Sequence, residues 1–231
     1  VKGNFDDCQR LVKDFFNLNN KKRKYNLAAV NSINWVRIMG QIVYYFWSYL
    51  KIEKNFHPIS YVVPTGNFGN VYAGFVSKIM GLPLNKLVVS SNRNDILTRF
   101  FQTGVMQKKK VVKSLSPSMD IQVSSNFERL VHFISEDSKY TRELFQNLEK
   151  NDNFEISKKY LNLILKDFRG GCLNDSETRE TLKNFHNKFK LIIDPHTAVG
   201  YAVGKKILND SDKRIYLSTA HYAKFIDTVR K

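Results

Sequence analysis

The residues Pro64-Thr65-Gly66-Asn67-Phe68-Gly69-Asn70 carry the clearest chemical signal in the sequence. They follow a short β-branched and aromatic run and precede an apolar helical pattern, so they sit at a strand-to-helix turn. Two glycines there permit backbone conformations and close approach that other residues cannot make. The amides of Gly66, Asn67, Phe68 and Gly69 come just ahead of a helix N-terminus. Unpaired N–H groups and the helix dipole favour an anion such as phosphate at that place. The segment is neither Gly-x-Gly-x-x-Gly nor a Walker loop, because the lysine and the spacing are both missing. An ordinary tight turn would use the same residues, so spacing alone leaves both readings open.

Two further stretches suit the same chemistry. In Asn31-Ser32-Ile33-Asn34-Trp35-Val36-Arg37, Asn34 and Arg37 lie three apart and share a helical face. With Ser32 they make a donor cluster with one Arg, fit for an oxyanion or for a capped helix bearing a surface Arg. In Leu217-Ser218-Thr219-Ala220-His221-Tyr222-Ala223-Lys224-Phe225, hydroxyls follow a strand and precede a helix. Such positions face the crevice where open α/β sheets bind ligands, or simply cap the helix. Other candidates are weaker. His57, His132, His186, His196 and His221 show no metal-ligand spacing, so no metal site is expected. Cys8 lacks a local acid–base partner and reads as a buried thiol.

These motifs need elements to position them. Asn31–Lys51 reads as one long helix, with Ile33, Val36, Met39, Val43, Phe46 and Leu50 at helical spacing and Asn31 or Ser32 at its N-cap. Ile59–Pro64 reads as a buried strand, Val71–Met80 as a helix ending at Gly81, and Lys86–Ser90 as a second strand. Asp95–Gln102 and Asn126–Ser135 look helical. Residues 136–190 are polar and suggest a helical excursion rather than sheet. Lys190–Ile193 then reads as a strand, and Asp194 caps a helix with Pro195 in its first turn, running to about Leu208. Arg214–Ser218 reads as a strand and Ala220–Arg230 as a last helix. Strands alternating with helices predict an α/β fold with a largely parallel sheet.

Composition sets the outer bounds. The 231 residues include 17 Phe and 11 Tyr, and 42% are hydrophobic, which excludes a disordered or fibrous chain. The longest apolar stretch, Ile33–Leu50, is broken by Arg37, Gly40, Gln41 and Ser48, so no membrane association is expected. Two cysteines cannot build a disulfide scaffold, and a reducing compartment, the cytoplasm, is the simpler expectation. The net charge of +16 comes with 26 Lys and 22 Asn, the joint enrichment an AT-rich genome imposes. The clusters Lys21–Lys24 and Lys108–Lys110 with Lys113 lack interleaved aromatics, so solvated faces are preferred over a nucleic-acid surface.

Taken together, the motifs resemble those of the threonine synthase family, enzymes of pyridoxal-phosphate fold type II. Asn31–Arg37 resembles the family's Asn-Ser-x-Asn-x-x-Arg motif, Pro64–Gly69 its cofactor-phosphate loop, and Leu217–Phe225 its Ser-Thr-Ala-His-Pro-Ala-Lys-Phe segment. Ser91–Leu97, Ser116–Ile121, Ser125–Arg129, Asp194–Val199 and Gly3–Gln9 also match, in order along nearly the whole chain. The polar stretch after Ser135 is similar to the branch found in fungi and many bacteria. Two departures stand out: Asn70 stands where many family members carry Asp, and Tyr222 replaces a Pro.

The resemblance implies a three-layer, tryptophan-synthase-β-like fold. It implies conversion of the small-molecule substrate O-phospho-L-homoserine, with water, to L-threonine and phosphate, using pyridoxal 5'-phosphate. Gly66, Asn67, Phe68 and Gly69 would hold the cofactor phosphate, and Thr219 would meet the pyridine nitrogen. Asn31, Ser32, Asn34 and Arg37 would hold the substrate phosphate. The family's Schiff-base lysine lies in a Phe-Lys-Asp segment upstream of the Asn-Ser helix. Lys13-Asp14-Phe15 and Lys166-Asp167-Phe168 fall at the wrong places and read as surface lysines. The chain, which starts at Val1, is therefore expected to be the C-terminal part of a longer enzyme and inactive alone, with its nucleophile upstream. Residues 1–58 would form a helical segment against the N-terminal half, and 59–231 the cofactor-binding α/β domain, in a monomer or homodimer. A phospho-lyase of the same fold and a non-catalytic phosphate-binding remnant are the alternatives.

Overall fold

The computed structural model describes residue 2 and residues 5–22, 25–28 and 34–230. Two long helices come first, α1 (Phe5–Lys22) and α2 (Trp35–Ile52). Then follow β1 (Ile59–Pro64), α3 (Gly69–Ile79), β2 (Leu84–Ser91), α4 (Ile96–Thr103) and β3 (Val105–Gln107). A 3-10 turn at Pro117–Met119 leads to α5 (Phe127–Ser135), α6 (Ser138–Asn151), β4 (Asn153–Glu155) and α7 (Lys158–Asp167). The chain continues through β5 (Phe168–Cys172), α8 (Asp175–Phe189), α9 (Pro195–Ile207) and β6 (Arg214–Tyr216). It ends in a 3-10 turn at Tyr222–Phe225 and a short α10 (Ile226–Val229).

The main sheet has four parallel strands in the order β5-β2-β1-β6. All six residues of β1 are buried, as a parallel strand covered on both faces requires. Alternation divides the core in two. Tyr61, Val63, Leu87 and Val89 join the larger core, with Tyr45, Val71, Phe100 and Phe168. Val62 and Val88 join the smaller core, with Val199 and Val203 of α9. Helices thus lie on both faces, which is the expected three-layer α/β arrangement. β3 and β4 form a separate antiparallel ribbon, with Met106 opposite Phe154.

Four expectations need correction. The long helix begins at Trp35, not Asn31, because the Asn34 side chain accepts from the Val36 amide and so provides the N-cap. Asn31 and Ser32 lie outside the described residues. The 136–190 stretch is not purely helical: it contributes β4, and residues 168–172 add an edge strand to the main sheet. That strand shows no hydrophobic alternation, because helices press directly on it. A Cβ on Gly170 would meet Phe101 and the Thr98 backbone, and one on Gly171 would meet Ile207 and Val203. Residues 190–193 form no strand. Lys190 ends α8 in the left-handed region at φ 56°, and Leu191 and Ile192 run exposed. The last helix is a 3-10 turn followed by one short helical turn.

Candidate active-site cleft

The Pro64–Asn70 turn leaves β1 at its C-terminal end and enters α3. Its carbonyls are taken by the protein behind it. Gly66 O accepts from Ser124 Oγ at 2.7 Å, Asn67 O from the amide and side chain of Asn126 at 3.1 and 3.0 Å, and Phe68 O from Tyr72 N at 2.8 Å. The first amides of α3 have no carbonyl within the helix to bind. The left-handed residue of the turn is Phe68, at φ 64°, not a glycine. Its ring is buried edge-on against Phe127 at 5.1 Å and tilted against Phe168 at 5.7 Å, and that packing offsets the backbone cost. Gly66 serves close approach instead. A Cβ there would lie 2.7 Å from the Ser118 carbonyl oxygen.

This turn forms the floor of a cleft of about 670 Å3 at the carboxyl ends of β1 and β6, where open parallel sheets bind ligands. One wall is α2, which sends Arg37, Gln41, Tyr44 and Ser48 inward at a spacing that keeps them on one helical face. The opposite wall is the stretch after β6, with Ser218 and Thr219. Trp47, Ser118, Met119 and His196 are also among the lining residues. The structure therefore gathers Gly66, Asn67, Phe68, Gly69, Thr219 and Arg37 around one space. Asn34 does not line it; its oxygen is spent on the helix cap. No lysine is among the described residues that do. Lys13 on α1 and Lys166 on α7 are exposed, as expected of surface lysines.

Charge in the cleft is one-sided. Arg37 is the cation there, and among the described lining residues no carboxylate accompanies it. Burial pushes the Tyr44 phenol well above its ordinary range, with Arg37 opposing, so at neutral pH Tyr44 is a donor. Tyr61, beneath, is pushed up to about 12 by burial. Behind the cleft, burial works against ionisation of Asp194, but hydrogen bonds from His196 and Thr197 outweigh it and hold the carboxyl below its usual range.

Gln41, Tyr44, Ser48 and His196 line the cleft without being among the site residues the sequence points to. The first three continue the Arg37 face at helical spacing, a signal present in the sequence. His196 falls within the Asp194–Val199 match, but nothing local assigns it a role, because its partner Ser118 is distant along the chain.

Comparison with known proteins follows the same lines. A family model described as "Threonine synthase, C-terminal" matches residues 197–231. The chain is 41% identical to threonine synthase of Saccharomyces cerevisiae over 99% of its own length and 49% of the relative's. It is 40% identical to threonine synthase of Pseudomonas aeruginosa over 100% of its own length and 50% of the relative's. The chain thus spans about half the length of the curated relatives it matches. The crystal structure of PLP-bound threonine synthase from Brucella melitensis superposes with a TM-score of 0.91 at 43% identity, over 99% of this chain and 50% of that one. A fungal L-serine ammonia-lyase from Rhizomucor miehei, at 10% identity and a TM-score of 0.53, shares the fold alone. Among the described residues no helix is long and apolar enough to cross a membrane.

Proposed function

This chain belongs to the threonine synthase family, and from that premise we propose that its cleft is the C-terminal share of an active site that turns O-phospho-L-homoserine and water into L-threonine and phosphate. The observation that carries the reading is convergence. Three motifs far apart in sequence, around Arg37, Gly66 and Thr219, line one cleft.

Pyridoxal 5'-phosphate is the cofactor of this reading, and the residues present fit it. The cleft volume is of the order expected for a cofactor site, ~300–1,000 Å3. The turn's carbonyls face the protein, and the Gly66 backbone is pressed so close to Ser118 that no side chain fits. Backbone amides of Gly66, Asn67, Phe68 and Gly69 would hold the phosphate at the start of α3. Thr219, on the opposite wall, would meet the pyridine nitrogen, and a hydroxyl does not force a proton onto the ring as a carboxylate would. When bound, the cofactor supplies an electron sink for carbanions at the α- and then the β-carbon of the substrate, so that the γ-phosphate can leave.

The chain's own residues do the rest. Arg37 presents a permanently charged fork that matches phosphate oxygens, and in this reading Asn31, Ser32 and Asn34, which precede α2 in sequence, would join it around the substrate phosphate. Tyr44, held as a proton donor, closes the wall beside it. Two anion sites, on two sides of one cleft, correspond to two phosphates.

The lysine that carries the cofactor would come from the other half of the polypeptide, and this chain alone would not turn over. Residues 1–58 suit contact with that half. Val36, Met39, Val43, Trp47 and Leu50 form an exposed apolar stripe on α2, and Leu11, Phe15 and Leu18 are exposed on α1. The reading places the protein in the cytoplasm, as a monomer or homodimer.

The test is product analysis on the natural polypeptide that carries this sequence, supplied with O-phospho-L-homoserine and cofactor. Threonine and phosphate in equal amounts support the reading. A 2-keto acid with phosphate would make it a phospho-lyase, and no product, with no borohydride-fixed cofactor adduct, would make it a non-catalytic binder.

A further inference from the structure

The side chain of Asp194 is fully shielded from solvent at the start of α9, and both of its oxygens are in use. Oδ1 accepts from the His196 amide at 2.9 Å and lies 2.7 Å from His196 Nδ1. Oδ2 accepts from the Thr197 hydroxyl. On its far side, His196 Nε2 accepts from the Ser118 amide at 3.2 Å. A neutral imidazole that accepts through one nitrogen carries its proton on the other, so Nδ1–H donates to Asp194. The carboxylate thereby selects the tautomer. With the proton on Nε2, the ring would meet the Ser118 N–H with a second donor.

Two branches leave this carboxylate. The first runs through His196 to Ser118, whose carbonyl packs against Gly66 and leaves no room for a Cβ. The second runs through Thr197, whose oxygen lies 3.3 Å from Ser218 Oγ. Thr197 spends its one hydroxyl proton on Asp194, so Ser218 supplies the proton of that second contact. Ser218 is followed directly by Thr219. The two branches thus end at two segments of the cleft lining, the 116–121 turn beside Gly66 and the 218–219 stretch.

We propose that Asp194 is a positioning residue that holds the 116–121 turn and the 218–219 segment in one register, through the tautomer of His196 and the hydroxyl of Thr197. This goes beyond the proposed function, which gives Asp194 no part, and rests on that reading only for what the two segments hold. The geometry is over-determined in a way that plain capping does not need. An N-cap requires one acceptor oxygen, and here the second oxygen and the histidine ring carry the contact outward.

The experiment compares the natural polypeptide carrying this sequence with Asp194→Ala and Thr197→Val. Hydrogen–deuterium exchange is read peptide by peptide, and pyridoxal 5'-phosphate is titrated into protein stripped of it. Asp194→Ala is expected to speed exchange roughly tenfold in peptides covering both 116–121 and 217–221, with the 59–64 strand unchanged. Its cofactor Kd is expected to rise about tenfold. Thr197→Val, which keeps the shape, is expected to loosen 217–221 and leave 116–121 as it was. The inference is overturned if folded variants leave both segments unchanged, or if either substitution loosens the 59–64 strand as much as the two segments. Should Asp194→Ala fail to fold, Thr197→Val decides by itself. If the unsubstituted protein binds no cofactor, the proposed function fails, and the exchange pattern still decides this inference.

Discussion

The phenol oxygen of Tyr44 lies 2.6 Å from the side-chain oxygen of Asn70, and Tyr45 donates to the same atom at 3.0 Å and to the Asn70 carbonyl at 2.9 Å. Two consecutive residues of α2 therefore clamp one residue of the turn that would hold the cofactor phosphate. Burial drives both phenols above their ordinary pKa, so both act as donors and Asn70 Oδ1 is fixed as the acceptor. The clamp ties the turn to the helix that carries Arg37. Removing the Tyr45 hydroxyl by Tyr45→Phe leaves the half-buried Asn70 carbonyl short of a donor and should cost about 1 kcal/mol, measured by urea unfolding. Asn70→Asp, the residue of many family members, keeps an acceptor oxygen in place. It should leave the cofactor Kd within about threefold of the unsubstituted protein.

Gly66→Ala places a methyl group 2.7 Å from the Ser118 carbonyl oxygen, a backbone atom that cannot swing aside. The turn or the 116–121 loop must shift. The expected result is a loss of about 1–3 kcal/mol in stability, together with a fall in cofactor affinity larger than any other single substitution in the turn produces. Thermal unfolding and cofactor titration on one preparation read both. Unchanged affinity would mean that the amides of the turn do not hold the phosphate.

Arg37 lines the cleft, and among the described lining residues no carboxylate accompanies it. Arg37→Ala removes a charge-assisted contact worth about 1.5–3 kcal/mol, so KM for the phosphorylated substrate should rise roughly 10- to 100-fold. The cofactor Kd should not move. Arg37→Lys keeps the charge and loses the fork, and should fall between the two. A KM unchanged in Arg37→Ala would remove Arg37 from the substrate site.

Acid stability should depend on Glu53. Its carboxyl is held down to about 2, first by the Lys213 ammonium at 2.7 Å, then by the Asn55 amide, against the cost of burial, with a further contact from His57. Because the folded value lies below the ordinary 4.5, the unfolded chain takes up the proton first as pH falls. The stabilisation is complete above the unfolded pKa and disappears as pH drops from about 5 toward 2. Glu53→Gln should therefore lower the melting midpoint at neutral pH and flatten its decline through that acid range.

The readable part of this protein was the part where one residue type answers one local demand. Ile59–Pro64 is a strand at the bounds its β-branched and aromatic run predicts, because a strand covered on both faces favours such residues along its whole length. Asp194 followed by Pro195 starts a helix where expected, because a side-chain acceptor and a preset φ act within one turn. The strand-to-helix turn at Pro64–Asn70 was legible for the same reason, although the left-handed position fell on Phe68. A phenylalanine can hold that conformation only when distant rings pay for it, and Phe127 and Phe168 are distant.

The sequence by itself carried the alternation of strands and helices in its local spacing, and the order of its motifs carried the resemblance to the family and pointed to Arg37, Gly66, Asn67, Phe68, Gly69 and Thr219 in the cleft. Tertiary structure alone decided which of them meet. The edge strand β5 was invisible because its Gly170 and Gly171 answer to α4 and α9 rather than to any alternation of their own. The Lys190–Ile193 segment looked like a strand and is none, since apolar, β-prone residues make a strand only where a neighbouring edge takes up their backbone groups. The roles of Tyr44, Tyr45 and His196 come from contacts across 25 to 78 positions of chain. No local pattern encodes such contacts; packing two helices and a turn against one sheet end creates them.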